Sequence, residues 1–416
     1  MSELTDWLIQ QRWYASKSLE IARVQELDAA PLPGGEELRL IAVSFTNGTH
    51  ALYQLVPALS AGVPDAIAAA GEHRTEHGLF CFRSLLGDTA LARPALAPVG
   101  AEQSNTSVIV DDTYVLKVFR RLEAGINPEL EMLRFLSARH YPHIATLRGW
   151  YEYESPALAC TLGVLQDLIP DGHDGWQLAL AEIPTAPDSF LARAASLGEA
   201  TATLHSVLAT DHDDPAFAPE EPSNESVALL RAKVDEDIER MFLALPDNPA
   251  LAPLSGRGAD VRERLAAWPQ ISAIGKMVRL HGDYHLGQTL ARPDGSWVLL
   301  DFEGEPARSL SQRRMKRSPL RDVASMLRSF AYAVAAVGLA GETAPDGIET
   351  AAREAFLSAY LDAVDPSLLP SGSAAIDNLL GIFELEKAIY ELGYELDHRP
   401  DWVSIPVAGI EALLAA

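Results

Sequence analysis

The segments HGDYHLGQTL (281–290) and WVLLDFEGEP (297–306) carry, among their oxygen-bearing side chains, Asp283, Gln288, Asp301 and Glu303. Asp283 and Asp301 are eighteen residues apart, separated by the turn signal Pro293-Asp294-Gly295-Ser296 with a short apolar stretch on either side. That pattern predicts a β-hairpin. A hairpin brings its outer ends together, which gathers Asp283, Gln288 and Asp301 around one ligand. A carboxylate can accept or orient a hydroxyl proton, and a carboxylate with an amide oxygen can hold Mg2+ on nucleotide phosphates. The set fits metal-assisted phosphoryl transfer. Asp283 is the candidate base, and Gln288 and Asp301 are the candidate Mg2+ ligands. Glu303 is a further ligand or the holder of a metal-bound water.

His281 and His285 also invite a zinc reading, being four residues apart. Gly282 and Gly287 argue against the helix that this spacing needs, the H-E-x-x-H pattern is absent, and no third soft ligand is evident. His281 is better read as a brace of the loop, and His285 as a contact to the substrate or to the loop backbone.

The elements that must position this centre extend in both directions. Upstream, residues 107–110 and 114–119 read as a hairpin turning at Asp111-Asp112, and 128–139 as a helix started by Asn127-Pro128. Lys117 on the second strand can reach ATP phosphates. Glu131 on the helix is its expected partner, with Glu129 as the competitor and an ordinary salt bridge as the alternative reading. Ser104, Asn105, Thr106 and Ser107 lead into the first strand and can cover phosphates, although neither a Walker loop nor a dinucleotide fingerprint is present. Gln166 to Leu168 is a candidate hinge that meets adenine through its backbone.

Before this, residues 38–43 and 50–57 read as strands joined at Asn47-Gly48. Residues 65–70 and 76–86 read as loop and helix. The aromatic opening, with Trp7, Trp13 and Tyr14, reads as a packed helix. After Trp176 the chain becomes mainly helical, with candidates at 191–208, 225–243, 321–338, 350–361 and 376–396, and one short β run at 298–302. Three regions follow: an N-terminal subdomain (1–95), a small nucleotide-binding α+β subdomain (96–168) and a helical region with the catalytic loop and acceptor site (169–416).

Composition limits the partners. The 416 residues include 58 acidic against 33 Lys and Arg, a formal net charge of −25, which disfavours nucleic acid and anionic membrane surfaces. Two cysteines, Cys81 and Cys160, are too few for a disulfide scaffold, and the opening MSELTDWLIQQRW lacks an apolar signal core. The expectation is a cytoplasmic protein, monomeric with a homodimer as the alternative, acting on a small molecule without nucleic acid or membrane.

The chain resembles a known family. HGDYHLGQ, DFEGEP and SPLRDVASMLRSF, with the opening QRWYASK and the late FELEKAIYELGYELDHRPDW, look like bacterial maltokinases, within the aminoglycoside-phosphotransferase-like group of the protein-kinase-like fold. The resemblance spans about residues 10–402. It implies an α+β, bilobal protein-kinase-like fold with an N-terminal cap subdomain and a mainly helical C-terminal lobe. It also implies ATP and Mg2+ as cofactors and transfer of the γ-phosphoryl to the anomeric hydroxyl of maltose. The product, maltose 1-phosphate, would feed α-glucan (glycogen) synthesis, which suggests association with α-glucan or trehalose pathway enzymes. By motif, Asp283 is the base, Gln288 and Asp301 bind magnesium, and Lys117 and Glu131 form the phosphate-side pair. The acceptor then lies beside Asp283, with Lys387 and Tyr390 as the leading contacts and Glu391 and Tyr394 next, at three- and four-residue helical spacing.

Some positions depart from the family pattern. Gln288 stands where the wider superfamily has asparagine. Ser309, Gln312 and Ala331 replace a proline, an acidic residue and an aspartate. Two alternatives stay open: a kinase of glucosamine or an aminoglycoside, and a non-catalytic carbohydrate-responsive interaction protein on the same fold.

Overall fold

The computed structural model describes residues 2–57, 59–87, 91, 94–99, 105–245, 248–266 and 274–415. They divide into two compact units, Met1–His140 with Ile144–Pro170, and Tyr141–His143 with Asp171–Ala416.

The first unit is built on two antiparallel sheets. The smaller runs Ile21–Pro31, Glu37–Phe45, His50–Leu55 and Arg121–Leu122 in that order. Its central hairpin turns at Asn47-Gly48, as predicted. Gly48 sits at φ +85°, a backbone region that disfavours a Cβ, and Asn47 Oδ1 accepts from Thr49 N at 3.0 Å. Trp13, Tyr14 and Tyr53 form the aromatic core against one face.

The larger sheet has seven strands, ordered Glu72–Arg74, Leu79–Ser84, Leu147–Glu154, Ala159–Asp167, Tyr114–Val118, Thr106–Val110 and Leu96–Pro98. The predicted hairpin is present, and both turn residues, Asp111 and Asp112, are left-handed at φ 52° and 49°. The 65–86 segment departs from expectation: Gly62–Ala68 is helical and Leu79–Ser84 is a strand. Aromatic pairing explains the difference. Phe82 stands opposite Tyr151 and Phe80 opposite Tyr153, with ring centroids 5.8 and 4.8 Å apart. Each such pair contributes about 1 kcal/mol beyond burial, a gain that a helix here would forgo.

The second unit is mainly helical around one small sheet. Its long helices are Pro187–Leu208, Asn224–Ala244, Leu320–Leu339, Ile348–Ala363 and Ser373–His398. Val323, Met326, Leu327, Phe330 and Val337 line the buried face of Leu320–Leu339 at helical spacing. Among the described residues this is the helix long and apolar enough to cross a bilayer, and it is a core helix, packed through Phe330 against Phe190 and Phe356. The small sheet joins His173–Asp174, Thr289–Ala291 and Trp297–Leu299. The last two strands form the hairpin expected between the two aspartates. Gly175, which begins the helix Gly175–Thr185 directly after His173–Asp174, packs closely against this hairpin, and an added Cβ there would lie 2.1 Å from Thr289 Oγ1.

Candidate active site

The loop bearing Asp283 is held through its backbone. The amides of His281 and Gly282 donate to Asp322 Oδ2 and Oδ1 at 2.8 and 3.1 Å. Gly282 reaches this geometry at φ +83°. Asp322 is buried, and His205 Nε2 faces it at 3.2 Å, while His205 Nδ1 lies 3.0 Å from the Tyr360 hydroxyl. Burial alone would raise the Asp322 pKa. The hydrogen bond and charge of His205, then His281 and the Gly282 amide, outweigh burial and hold the carboxyl below its ordinary value. Neither Asp322 nor His205 was singled out from sequence. Asp322 lies in the SPLRD motif in the first turn of its helix, and that acidic first-turn position was its only local signal.

His281 braces the loop's other side. Its Nε2 donates to Leu300 O at 2.7 Å, one residue before Asp301, and its ring packs on Phe302. His285 Nδ1 accepts from Gly287 N at 3.1 Å and caps the short Leu286–Gln288 turn. Burial pushes the imidazole pKa of His285 down, Asp283 pulls it up, and Lys387 and His281 lower it further.

The hairpin brings its outer ends together. Leu300 N donates to Gln288 O at 2.9 Å, and Gln288 Nε2 lies 3.4 Å from Asp301 Oδ2. Carboxylate oxygens of Asp301 and Glu303 lie within 4.8 Å of each other. Asp301 adopts φ 60°, uncommon for a residue with a side chain and frequent where function over-determines the backbone. Gln288, Asp301 and Glu303 offer hard oxygen donors of the kind that suit Mg2+, once the Gln288 amide turns its oxygen inward.

Asp283 sits beside the acceptor candidates. Lys387 Nζ lies 3.7 Å from Asp283 Oδ1 and 5.0 Å from the Tyr390 ring centroid. Lys387 and Tyr390 line a cavity with Gly282, Glu305, Arg308 and Phe383. Burial, then the charges of Glu305 and Asp283, push the Tyr390 hydroxyl pKa up. The other two candidates on this helix turn elsewhere. Glu391 Oε2 accepts from Arg328 Nη2 at 2.8 Å and Nε at 3.1 Å, a buried structural pair. Tyr394 is exposed and stacks on His398 at 4.5 Å.

In the first unit, Lys117 Nζ forms its ion pair with Glu129 Oε2 at 2.9 Å. The competitor Glu129 thus holds this ion pair, and Glu131, the expected partner, stands two residues on, turned about 200° around the helix. Glu129 is buried near the helix start, where its own amide is capped by Asn127 Oδ1 at 2.8 Å. Ser107 stands directly opposite Lys117 and shares its face of the sheet. Thr106 faces the other way, and its hydroxyl accepts from buried Arg120 Nε at 2.8 Å. Asn105 precedes this strand, and Ser104 lies outside the described residues. The hinge segment has less backbone to offer than expected. Leu168 N already donates to Thr113 O, and Gln166 sits within the strand ladder.

A profile of the phosphotransferase enzyme family matches residues 95–356 of this chain, well over half of it. The chain belongs to this family. A second profile, the maltokinase N-terminal cap domain, matches residues 7–81. The glucosamine kinase of Mycolicibacterium smegmatis is 30% identical over 354 residues, 82% of this chain and 84% of that one. The glucosamine kinase of Streptacidiphilus jiangxiensis is 26% identical over 93% of this chain and 95% of its own length. A solved glucosamine kinase in complex with glucosamine, ADP and inorganic phosphate covers 98% of this chain at TM-score 0.75 and 20% identity, with 96% of that chain matched. These matches give the fold as the bilobal, protein-kinase-like α+β class with an N-terminal cap and a helical C-terminal region.

They also correct the acceptor. Full-length relatives in sequence and in structure are glucosamine kinases, so the expectation of maltose, its 1-phosphate product and a glycogen-linked role is overturned. Of the motifs that suggested maltose, QRWYASK lies within the residues matched by the cap profile, and the others lie outside it.

Proposed function

We propose that this chain is an ATP-dependent kinase of an amino sugar of the glucosamine class. The observation that carries the reading is similarity to glucosamine kinases along nearly the whole chain, cap included. The arrangement at Asp283 supports it. Asp283 takes or orients the proton of the acceptor hydroxyl, held in place by the Asp322 clamp on the preceding amides. Lys387 Nζ, 3.7 Å from Asp283 Oδ1, places a positive charge beside the proton-accepting carboxyl. Glu305 lines the cavity with a carboxylate that is paired with Arg308 through Oε2, and an ammonium substituent would share it. Gln288, Asp301 and Glu303 would hold Mg2+, which supplies charge neutralisation on the ATP phosphates. Within the first unit, Lys117, paired with Glu129, is the candidate phosphate-binding lysine.

An acceptor screen with ATP and Mg2+, reading ADP release and the position of the new phosphate ester, tests this. Glucosamine is expected to be turned over with kcat/KM at least about tenfold above glucose and N-acetylglucosamine, the scale of one well-made polar contact in a dry site. Equal turnover of N-acetylglucosamine would remove the amine from the argument. Transfer to none of the three would overturn the reading.

A further inference from the structure

The cavity beside Asp283 is basic in a protein of net charge −25. Its charges can be paired one by one. Arg308 Nε meets Glu305 Oε2 at 2.5 Å. Arg321 holds Glu386 through both nitrogens, at 3.0 and 2.8 Å, and its guanidinium lies 4.5 Å from the Phe383 ring centroid. Asp322 is taken by His205 and the loop amides, and Lys387 faces Asp283. Arg313 Nη1 donates to the backbone oxygen of Glu303 at 3.1 Å.

One cation is left over. Arg317 lines the cavity, yet no carboxylate among the described residues lies within ion-pair distance of it. Its side-chain contact is a long one, Nη2 to Met315 Sδ at 4.0 Å. The residue is not loose. Its amide donates to Val278 O at 2.8 Å and its carbonyl accepts from Val278 N at 2.9 Å, so the backbone is pinned three residues before the catalytic loop begins. Burial, then repulsion from Arg321 and Arg308, lowers its pKa to about 10, still charged near neutrality. A fixed, partly desolvated guanidinium beside two others is costly unless an anion completes it.

We propose that Arg317 is a specificity-determining residue that receives an anionic group, carboxylate or phosphate ester, carried by the amino-sugar acceptor. The inference rests on the amino-sugar kinase reading and narrows its substrate class. The preferred acceptor then has two recognition charges: an ammonium group toward the Glu305 side and an anion toward Arg317. The planar fork of arginine suits both anions bidentately, so the geometry names the charge and leaves its bearer to the experiment.

Initial rates with ATP and Mg2+ are measured for glucosamine, muramic acid (its carboxylate-bearing ether), glucosamine 1-phosphate and glucosamine 6-phosphate. The parent, Arg317→Gln and Arg317→Lys are compared, with thermal unfolding as the folding control. In the parent, at least one anionic acceptor is expected to exceed glucosamine in kcat/KM by about tenfold, the scale of one charge-assisted contact. In Arg317→Gln that ratio collapses toward one, chiefly through KM, and Arg317→Lys restores part of it. Preference for muramic acid assigns the site to a carboxylate, and preference for a sugar phosphate assigns it to a phosphate ester. Turnover of glucosamine with no anionic acceptor favoured overturns this inference and leaves the amino-sugar reading standing. A preference that survives in folded Arg317→Gln also overturns it. No transfer to any amino sugar overturns both.

Discussion

Two lysine–carboxylate pairs stand at opposite extremes of commitment. In the first unit Lys117 and Glu129 meet at 2.9 Å with side chains only 12% and 2% exposed. In the second unit Lys387 and Asp283 stand 3.7 Å apart, both about a quarter exposed, at 22% and 24%. A short, buried pair fixes a cation in place, because separating it would strand a charge away from water. A longer, wetter pair leaves its carboxylate able to exchange partners, as a group that takes a proton from an incoming hydroxyl must. Burial and distance thus separate a positioning pair from a working one, although both look alike in sequence.

The sharpest way to break this contrast is Asp283→Asn. It keeps the shape and removes the proton acceptor, and kcat is expected to fall about a thousandfold, within the range for loss of a general base. A fall of only a fewfold, measured by steady-state ADP release, would reassign the base.

The clamp on the working side comes next. Asp322→Asn keeps one acceptor oxygen for two loop amides, and kcat is expected to fall about a hundredfold, comparable with displacing a catalytic group by about 1 Å. This carboxyl also predicts an acid limb in stability. Its folded pKa lies below the ordinary value near 3.9. Its contribution is therefore fully present above that value and is lost as pH falls through the lower folded pKa. Thermal unfolding from pH 6 down to pH 3 should show a shallower loss in Asp322→Asn than in the parent. Parallel slopes would remove Asp322 from the account.

The smallest effect separates neighbours on one helix. Glu129→Gln should raise the KM for ATP about tenfold and lower stability by about 2 kcal/mol, because Lys117 loses a buried counter-charge. Glu131→Gln should stay within about twofold and 0.5 kcal/mol, as for a substitution away from such a pair. Equal effects at the two positions would dissolve the distinction drawn from the ion pair.

Much of the second unit's centre was legible because hairpin logic is local. The turn at Asp294-Gly295 dictates that residues 288 and 301 meet, and they do. The Asp111-Asp112 turn was legible for the same reason. The choice between Glu129 and Glu131 was not, because both fall in the first turn of one helix and only its rotation against the strand selects one. The strand at Leu79–Ser84 was missed because an apolar run of that length suits either period, and its partners lie some seventy residues away.

By itself the sequence determined the chemistry-bearing residue types, the turns that join neighbouring strands and the helical character of the second half, all properties set over a few residues. Only the tertiary structure decided which groups are spoken for. Asp322 reaches back forty residues to clamp the catalytic loop, Glu391 turns to Arg328, and among the described residues no carboxylate pairs with Arg317 while Arg308 and Arg321 are paired. Hydrogen bonding and charge compensation act through space at about 3 Å, and chain separation places no limit on them.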